Sequence, residues 1–422
     1  MKGICVVFAT CLLGLLKPPG RPKSKSRSNA PSIATATRRL GMKTLTLFAS
    51  FAVVLLSGCG STPRGIQSGA PAPPSAPPAP TTTSSNFVAV GNMNTARANH
   101  VAILLPDGKV LIAGGVLAGY PVQLPLASAE LFDPSTRSFT PTGNMMVPRS
   151  SPGAVLLANG KVLIVGGSQD LSAEIYDPST GAFTSTGNMI PVGTGSSQSS
   201  LNMSFATLLQ DGRVLVEGDD AEIYDPATGA FSLTGAYTNA DTLWITSTLL
   251  QDGRVLLTGW AGCALWCESG ATELYDPRTN TFSVAGPLAQ WGNVNTATLL
   301  MNGKVLFVGS DGMDLSADAE LYDPTADTFT SVGRMIGPHE FSAAVRLSNG
   351  TVLISGGQLE GGSGSAEADL YDPSTEMAAS VGNMTVGRHD HTATLLPDGT
   401  VLITGGYTTW PSSTNTAEIY KP

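Results

Sequence analysis

Short apolar runs separated by turn residues alternate along most of this chain, always in the same order. In one copy, His391–Leu396 alternates polar and apolar residues, Pro397-Asp398-Gly399 is a tight-turn sequence, and Val401–Thr404 is an apolar run. An alternating run predicts a strand with two unlike faces, and a continuous apolar run predicts a buried strand. The pattern therefore predicts short antiparallel strands joined by tight turns.

Two phrases occur seven times and define a repeating unit. In the first copy they are Asp107-Gly-Lys-Val-Leu-Ile-Ala-Gly-Gly115 and Glu130-Leu-Phe-Asp-Pro134. The glycine of the first phrase recurs from position 108 to position 399 with a mean spacing of 48.5 residues. Units of this length with four strands each are typical of propeller blades. We expect an all-β fold, a seven-bladed β-propeller over residues 87–422.

The two ends of the repeat region predict that the ring closes on itself. The last copy stops at Pro422 without a fourth strand, and Phe87–Met93 has the spacing of that strand, as in Phe183–Met189. We expect the N-terminal strand to complete the last blade, which removes an exposed sheet edge.

These repeats resemble Kelch propellers, in particular bacterial Kelch-repeat lipoproteins similar to the central domain of galactose oxidase. The Kelch diglycine is intact in four copies and broken in three, at Gly218-Asp219, Gly259-Trp260 and Gly309-Ser310. Phenylalanine replaces the outer-strand tryptophan of the family at Phe139, Phe183, Phe231, Phe282 and Phe329. Galactose oxidase uses a copper centre built from His, Tyr and a Cys–Tyr crosslink. No motif places those residues here, so we expect no cofactor.

The first 58 residues predict a targeting region. Leu45–Leu56 is an apolar run of about a dozen residues, shorter than the roughly 20 that a membrane-spanning helix needs but suited to a signal peptide. It ends in Leu56-Ser57-Gly58-Cys59, which resembles the bacterial lipoprotein box. The resemblance implies a signal peptide over 42–58, lipidation of Cys59, and export to the cell envelope, in the periplasm at the outer membrane or at the cell surface. Residues 1–41 are interpreted as lying upstream of a start at Met42, with Met1 as the alternative.

Residues 59–86 are rich in Pro, Ser and Thr and predict an extended tether between the lipid and the propeller. The chain has 48 Gly and 29 Pro, and charged residues make up only 13%, which fits turn-rich β structure. The net charge of −9 averages two unlike parts. Residues 1–58 contain nine basic residues and no acid, whereas from Cys59 onward 14 basic and 32 acidic residues give −18. A body this acidic repels phosphate backbones, which excludes nucleic acid as a partner.

Residues present in every copy serve needs that every blade has, so the Glu and Tyr of the second phrase are interpreted as scaffold. The copies differ most in the loops after their second strands and in the connectors between blades, which share one face of an up-and-down propeller. All five tryptophans fall on or near this face: Trp260, Trp266 and Trp410 in its loops, Trp291 in a connector, and Trp244 just before an inner strand. Aromatic residues on variable loops are typical of binding sites. The alternative is that they cover the blade ends as local cores.

The four histidines stand where connectors enter inner strands, around the mouth of the central channel. His100 and His391 follow Arg97 and Arg388 by three residues, a Kelch-like pattern that we interpret as structural. The best candidates for a channel-mouth site are His339, Arg388, His389 and Asp390. Scattered histidines with no Cys or carboxylate at ligand spacing predict no metal site. No phosphate loop, nucleophile elbow or catalytic triad assigns a catalytic residue.

Cys263 and Cys267 are interpreted as a disulfide that fixes the loop around Trp266, because an exported protein folds in an oxidising compartment.

Three classes of function follow from the sequence. The favoured class is a non-catalytic, membrane-anchored binding or scaffold protein that recognises a glycan or a protein through its variable face. The alternative is an extracytoplasmic carbohydrate-active enzyme, similar to the sugar mutarotases or the oxidases among Kelch proteins. The third is an inert structural scaffold of the envelope.

Overall fold

The seven copies of the repeat fold as seven radial sheets. A computed structural model describes residues 86–119, 122–168, 170–191, 205–218, 220–239, 242–261, 269–289, 293–310, 317–337 and 339–422. All of them belong to one unit, Pro78–Pro422. They form seven four-stranded antiparallel sheets and two small hairpins. The prediction of an all-β, seven-bladed propeller is confirmed.

The predicted signal peptide, Cys59, the tether and the Cys263–Cys267 pair lie outside the described residues, apart from the last tether residue, Asn86. In the part of the chain that is described, no helix has the length and apolar character needed to cross a membrane.

Each blade has an inner, a second, a third and an outer strand. Blade 1 contains Val101–Leu104 (β2), Val110–Ala113 (β3), Ala129–Asp133 (β6) and Ser138–Pro141 (β7). Blade 2 contains Gly153–Leu156 (β8), Val162–Val165 (β9), Ala173–Asp177 (β10) and Ala182–Ser185 (β11). Blade 3 contains Phe205–Leu208 (β12), Val214–Glu217 (β13), Ala221–Asp225 (β14) and Ala230–Leu233 (β15).

Blades 4 to 6 follow in the same order, with longer strands in blades 4 and 5. Blade 4 contains Thr242–Leu249 (β16), Val255–Ala261 (β17), Ser269–Asp276 (β18) and Thr281–Val284 (β19). Blade 5 contains Asn293–Leu299 (β20), Val305–Ser310 (β21), Ala317–Asp323 (β22) and Thr328–Arg334 (β23). Blade 6 contains Ala343–Arg346 (β24), Val352–Ser355 (β25), Glu367–Asp372 (β26) and Met377–Asn383 (β27).

Blade 7 is built from both ends of the repeat region. It contains Thr392–Leu395 (β28), Val401–Thr404 (β29), Ala417–Tyr420 (β32) and, as its outer strand, Phe87–Ala89 (β1). Phe87 pairs with Tyr420, and their rings lie 5.0 Å apart between centroids. The inner strands follow one another around the channel, and β28 lies beside β2. The predicted closure is confirmed.

The first three positions of every second strand are apolar because both faces of the strand are buried. In blade 1, Val110 and Ile112 pack against Leu402 and Ile419 of blade 7. The alternate residues, Leu111 and Ala113, belong to a cluster with Val162 and Ile164 of blade 2. Alternate residues of a strand point to opposite faces, so each second strand joins two inter-blade cores.

The outer strand of a blade is fixed by an aromatic pair across the ladder. The rings of Tyr176 and Phe183 lie 4.8 Å apart, and those of Tyr275 and Phe282 lie 4.9 Å apart. Both pairs are tilted, which is the arrangement that aromatic rings favour. Phenylalanine therefore performs the packing for which related repeats use tryptophan.

One face of the ring carries uniform turns and also both ends of the repeat region. In the turn after β10, Asp177 Oδ1 accepts hydrogen bonds from the backbone N–H and hydroxyl of Ser179. These bonds and Lys161 lower the pKa of Asp177 to about 2. At the equivalent place in blade 7, the N–H of Lys421 donates to Asn86 O. The tether predicted to end at residue 86 thus joins the propeller on this turn face.

Closure through β1 predicts a large effect of truncating Phe87. Phe87→Ala removes a buried ring and leaves a cavity beside Tyr420, so we expect a loss of about 3 kcal/mol in the free energy of unfolding. Urea denaturation measures this loss. Leu233→Ala, on the exposed part of an outer strand, is the control and should change it by less than about 0.5 kcal/mol. Equal effects of the two substitutions would contradict a closing role for β1.

Candidate functional site

Three blades contain a buried arginine that binds the acid of the second repeat phrase. Arg97, Arg149 and Arg388 pair with Glu130, Glu174 and Glu418 at N···O distances of 3.0, 3.1 and 2.9 Å. All six side chains are buried. In each blade the other carboxylate oxygen accepts a backbone N–H of the connector, as Glu418 does from Thr385. The pair therefore attaches the connector to the third strand of its own blade.

Blade 6 has a histidine and an aspartate in the same places. His339 Nε2 lies 3.0 Å from Asp369 Oδ2, and His339 Nδ1 lies 2.7 Å from Gly356 O. The backbone N–H groups of Ile336 and Gly337 donate to the same oxygen, Asp369 Oδ2. Burial opposes ionisation of Asp369, but hydrogen bonds from His339 and from the backbone of Gly337 and Ile336 hold its pKa below the ordinary value.

The diglycine bonds both the buried side chain of its own blade and the connector of the next blade. Arg388 Nη1 donates to Gly405 O at 2.7 Å, and the N–H of Gly406 donates to Arg97 O at 2.9 Å. Gly405 has a φ of +63°, and a Cβ there would collide with Arg97 O. Glycine is required at this close approach because no side chain fits it.

Blades 3, 4 and 5 lack both the arginine or histidine and the intact diglycine. In the other four blades, the arginine or histidine stands four residues after a methionine: Met93, Met145, Met335 and Met384. The corresponding positions of blades 3, 4 and 5 are Gly193, Asp241 and Gly292. These are the blades whose diglycine is broken. We call blades 6, 7, 1 and 2, which have a buried arginine or His339 at this position, the cation arc. Without a cation, burial and the charge of Asp220 raise the pKa of Glu222 in blade 3 to about 7.

Two tryptophans of blade 4, whose diglycine is broken, lie elsewhere than the sequence predicts. Trp260, predicted to lie in a loop, continues β17, and Trp244, predicted to lie before the inner strand, is inside β16. The ladder extends to the pairs Trp260–Gly270 and Leu243–Trp260. In blades 4 and 5 the second strand continues past the broken diglycine, whereas in blade 3 it ends at Glu217.

His100 and His391 join blades as neutral side chains. His100 Nε2 lies 3.0 Å from Thr404 Oγ1 of blade 7, and His391 Nε2 lies 3.0 Å from Ser355 Oγ of blade 6. Burial, with the nearby charges of Arg97 and Arg388, lowers the pKa of His100 well below its ordinary value. The same causes, burial first and then Arg388, lower that of His391. The structural role predicted for both residues agrees with these contacts.

A chain of backbone hydrogen bonds crosses the cation arc at the channel mouth. Its members are residues with φ of +52° to +54°, two positions after each cation: Asn99, Ser151, Phe341 and Asp390. The N–H of Ser151 donates to Asn99 O, that of Asn99 to Asp390 O, and that of Asp390 to Phe341 O. A left-handed conformation costs a residue other than glycine of the order of 1–3 kcal/mol. Four such residues in line show that the inter-blade bonds outweigh this cost.

His389 and Tyr407 form a buried pair under the loops of blade 7. Their ring centroids lie 5.2 Å apart, and each backbone N–H donates to the carbonyl oxygen of the other residue. His389 Nδ1 lies 2.8 Å from Asp390 Oδ2. Burial and the charge of Asp390 raise the pKa of Tyr407, whose side chain also bonds Asn99. The pair thus links connector and hairpin across blades 7 and 1.

Three loops of the cation arc extend above this layer and contact one another. We call these loops the crest. The crest consists of residues 358–365 of blade 6, the hairpin of Tyr407–Thr409 (β30) and Ser412–Ser413 (β31), and the hairpin of Val116–Gly119 (β4) and Val122–Pro125 (β5). The N–H of Trp410 donates to Gly362 O, and that of Ala118 donates to Ser413 Oγ. The loops support one another, so the crest is a continuous surface.

The site residues predicted from the sequence divide into an exposed group and a buried group. Trp410 is exposed on the crest, and Asp390 is partly exposed below it. His339, Arg388 and His389 are buried beneath the face, and their contacts are those of the scaffold. Of Trp244 and Trp260 only the backbone is described, and Trp266, Trp291, Cys263 and Cys267 lie outside the described residues.

Two features escaped the sequence-based prediction. Arg149 and the equivalence of His339 with arginine could have been found from the constant four-residue spacing after Met93, Met145, Met335 and Met384. The crest hairpins carry no such signal, because each occurs in one copy and has no repeat to compare with.

Comparison with known proteins supports the fold. No protein-family model and no curated protein sequence matches the chain. Among solved structures, 790 chains match. One is a fungal alcohol oxidase of the AA5 family, the galactose oxidase family, in complex with copper, with a TM-score of 0.59 and 18% identity over 80% of this chain and 75% of that chain. The resemblance to a Kelch-like propeller similar to galactose oxidase is confirmed at the level of the fold.

The two forms of the buried pair predict a rescue experiment. Arg388→His alone places a shorter cation opposite Glu418, so we expect a loss of roughly 3 kcal/mol in the free energy of unfolding. Arg388→His with Glu418→Asp recreates the pair of blade 6 and should recover more than half of that loss. Urea denaturation of both single variants and the double variant measures the coupling. Additive losses would show that the two forms are not equivalent.

The neutral histidines predict that acid weakens the cation arc. The unfolded chain protonates these rings near pH 6.5, whereas the folded chain resists protonation, so stability is full above pH 6.5 and falls as the pH decreases below it. We expect the Tm of His100→Gln with His391→Gln to fall less than that of the parent protein between pH 7 and pH 5. Parallel decreases in Tm would contradict this role.

Proposed function

We propose that this protein is a non-catalytic binding propeller, exported and held at the bacterial envelope by a lipid on Cys59, which binds a partner protein through the crest. One observation carries the choice of surface: the crest exposes large apolar side chains from three loops that support each other. Leu117, Leu124, Leu359 and Trp410 are 40, 55, 36 and 48% exposed. Exposed apolar residues grouped on a rigid support are typical of interaction sites.

The chemistry of the crest favours a protein over a glycan. Three of its four exposed apolar residues are leucines, whose aliphatic side chains pack against other apolar side chains, whereas sugars stack on aromatic rings. Glu360 is the one charged residue in the three loop sequences. An uncharged apolar centre is the usual composition of a protein interface core. The glycan interpretation depends mainly on Trp260, Trp266 and Trp291, whose side chains are not described.

The position of the two ends of the repeat region suits a propeller that is held by a tether. Asn86 and Pro422 lie on the turn face, and the crest lies on the opposite face. The proposed tether therefore joins the propeller, at residue 86, on the face opposite the crest. The lipoprotein box at residues 56–59 supplies the proposed anchor.

The structure offers little support for the enzymatic alternative. The side chains of His339 and Arg388 are engaged in buried pairs with Asp369 and Glu418, and His389 is buried against Tyr407. Copper belongs to the fungal oxidase of similar fold. Among the residues described in this chain, no group of three or more His, Cys, Asp or Glu side chains could hold a metal ion. The described residues therefore do not fit a copper centre.

The crest predicts its own test. Trp410→Ser with Leu124→Ser should weaken capture of the partner by the full-length protein by at least about tenfold, because central apolar residues dominate interface energies. Quantitative mass spectrometry of proteins co-purified from the native envelope measures this loss. Met301→Ser, at a 65% exposed residue of the turn face, is the matched control and should leave capture unchanged.

A glycan array with the same three proteins separates the two ligand classes. Crest-dependent glycan signal without crest-dependent protein capture would replace the protein partner by a glycan. Labelling with an alkyne fatty acid, lost in Cys59→Ser, tests the anchor independently.

A further inference from the structure

A single acidic side chain interrupts the apolar core between blades 3 and 4. Glu217 is the fourth residue of its second strand, where the other blades have Ala113, Val165, Thr258, Val308, Ser355 and Thr404. It pairs with Phe205 and Ala221 in the ladder and is completely buried. Every other blade has a small or apolar residue at this position, so the acid is a property of this junction alone.

Glu217 connects the two blades through hydroxyl groups. Ser247 Oγ of β16 lies 2.5 Å from Glu217 Oε1, and Thr207 Oγ1 of β12 lies 2.5 Å from Ser247 Oγ. Glu217 Oε2 is buried without a hydrogen-bond partner. A carboxylic acid can donate to Ser247, which then donates to Thr207. A carboxylate can only accept, and it leaves a charged oxygen unpaired in the core.

No positive charge offsets ionisation of Glu217 among the described groups that act on it. From β16 it meets the hydroxyl of Ser247, which in turn bonds Thr207 of β12, and from β14 it meets Ala221. The titratable neighbour is Tyr237 in the connector between the blades. Burial and the charge of Glu217 raise the pKa of Tyr237 well above its ordinary value, and Asp220 and Glu273 add to this, so the tyrosine is neutral. Burial raises the pKa of Glu217 itself to about 8.

We propose that Glu217 is a proton-controlled latch between blades 3 and 4, which holds β13 to β16 as a carboxylic acid and loosens this junction when it ionises. The location sets this junction apart, because blades 3 and 4 lie outside the cation arc and have Gly193 and Asp241 where the arc has an arginine or a histidine.

The direction of the pH effect follows from the two states. The unfolded chain releases this proton near pH 4.5, whereas the folded chain keeps it to about pH 8. Stability contributed by the protonated latch is therefore complete below pH 4.5 and decreases as the pH rises towards about 8. This is opposite to the acid sensitivity expected for His100 and His391.

Glu217→Gln keeps the shape of the side chain and cannot ionise. We expect its Tm to match that of the parent protein at pH 4.5 and to exceed it by about 5 °C at pH 8. Hydrogen exchange of the full-length protein locates the effect. The exchange rate of β13 and β16 amides, divided by that of β28 and β29 amides in the same sample, should rise about tenfold from pH 6 to pH 9. In Glu217→Gln the ratio should stay constant.

Two further variants keep the result decisive. Glu217→Thr, with the residue that blades 4 and 7 have at this position, should behave like Glu217→Gln if the glutamine variant folds poorly. Glu222→Gln removes the neighbouring acid that binds Ile190 N on the blade 2 side, and it should leave the pH-dependent rise in place. A constant ratio in the parent protein, or the same rise in Glu217→Gln, would overturn the proposal.

Discussion

The buried pair between a cation in the connector and an acid on the third strand organises the cation arc. Arg388 and Glu418 illustrate why. Two charges removed from water are stabilised when hydrogen bonds satisfy their remaining donors and acceptors. The remaining guanidinium donors bond the carbonyl oxygens of Val386 and Gly405 and both oxygens of Thr416. That demand brings the diglycine, the connector and the third strand to one place, and the left-handed residues at the channel mouth follow from it.

The ring is consequently uneven, although its repeats are similar. Blades 6, 7, 1 and 2 each contain a buried pair, are joined to one another by neutral histidines and by backbone bonds at the channel mouth, and support the crest. Blades 4 and 5 use longer strands instead, and blade 3 places Glu217 in an apolar core. Propellers tolerate such variation because each blade contacts only its two neighbours. A surface for binding and a junction for opening can therefore occupy different sectors of one fold.

The crest shows how a site can arise on a repetitive scaffold. Its hairpins follow the diglycines of blades 7 and 1, where the chain must leave the ladder because Gly406 and Gly115 donate to the connectors of the next blades. The scaffold thereby turns the loop outward and fixes its base. Residues such as Trp410 are then free to vary, since no blade needs them for packing.

The amino-acid sequence by itself determined the blade number, the closing strand and the structural acids, because these are repeated and repetition reveals what every blade needs. It also located the variable face and Trp410. Only the tertiary structure decided that His339 is a buried partner of an acid and not a surface group, since that depends on Asp369 and Gly356, 30 and 17 residues away. The crest and the Glu217–Ser247 contact were likewise invisible to the sequence, because they join residues of different blades that occur once each.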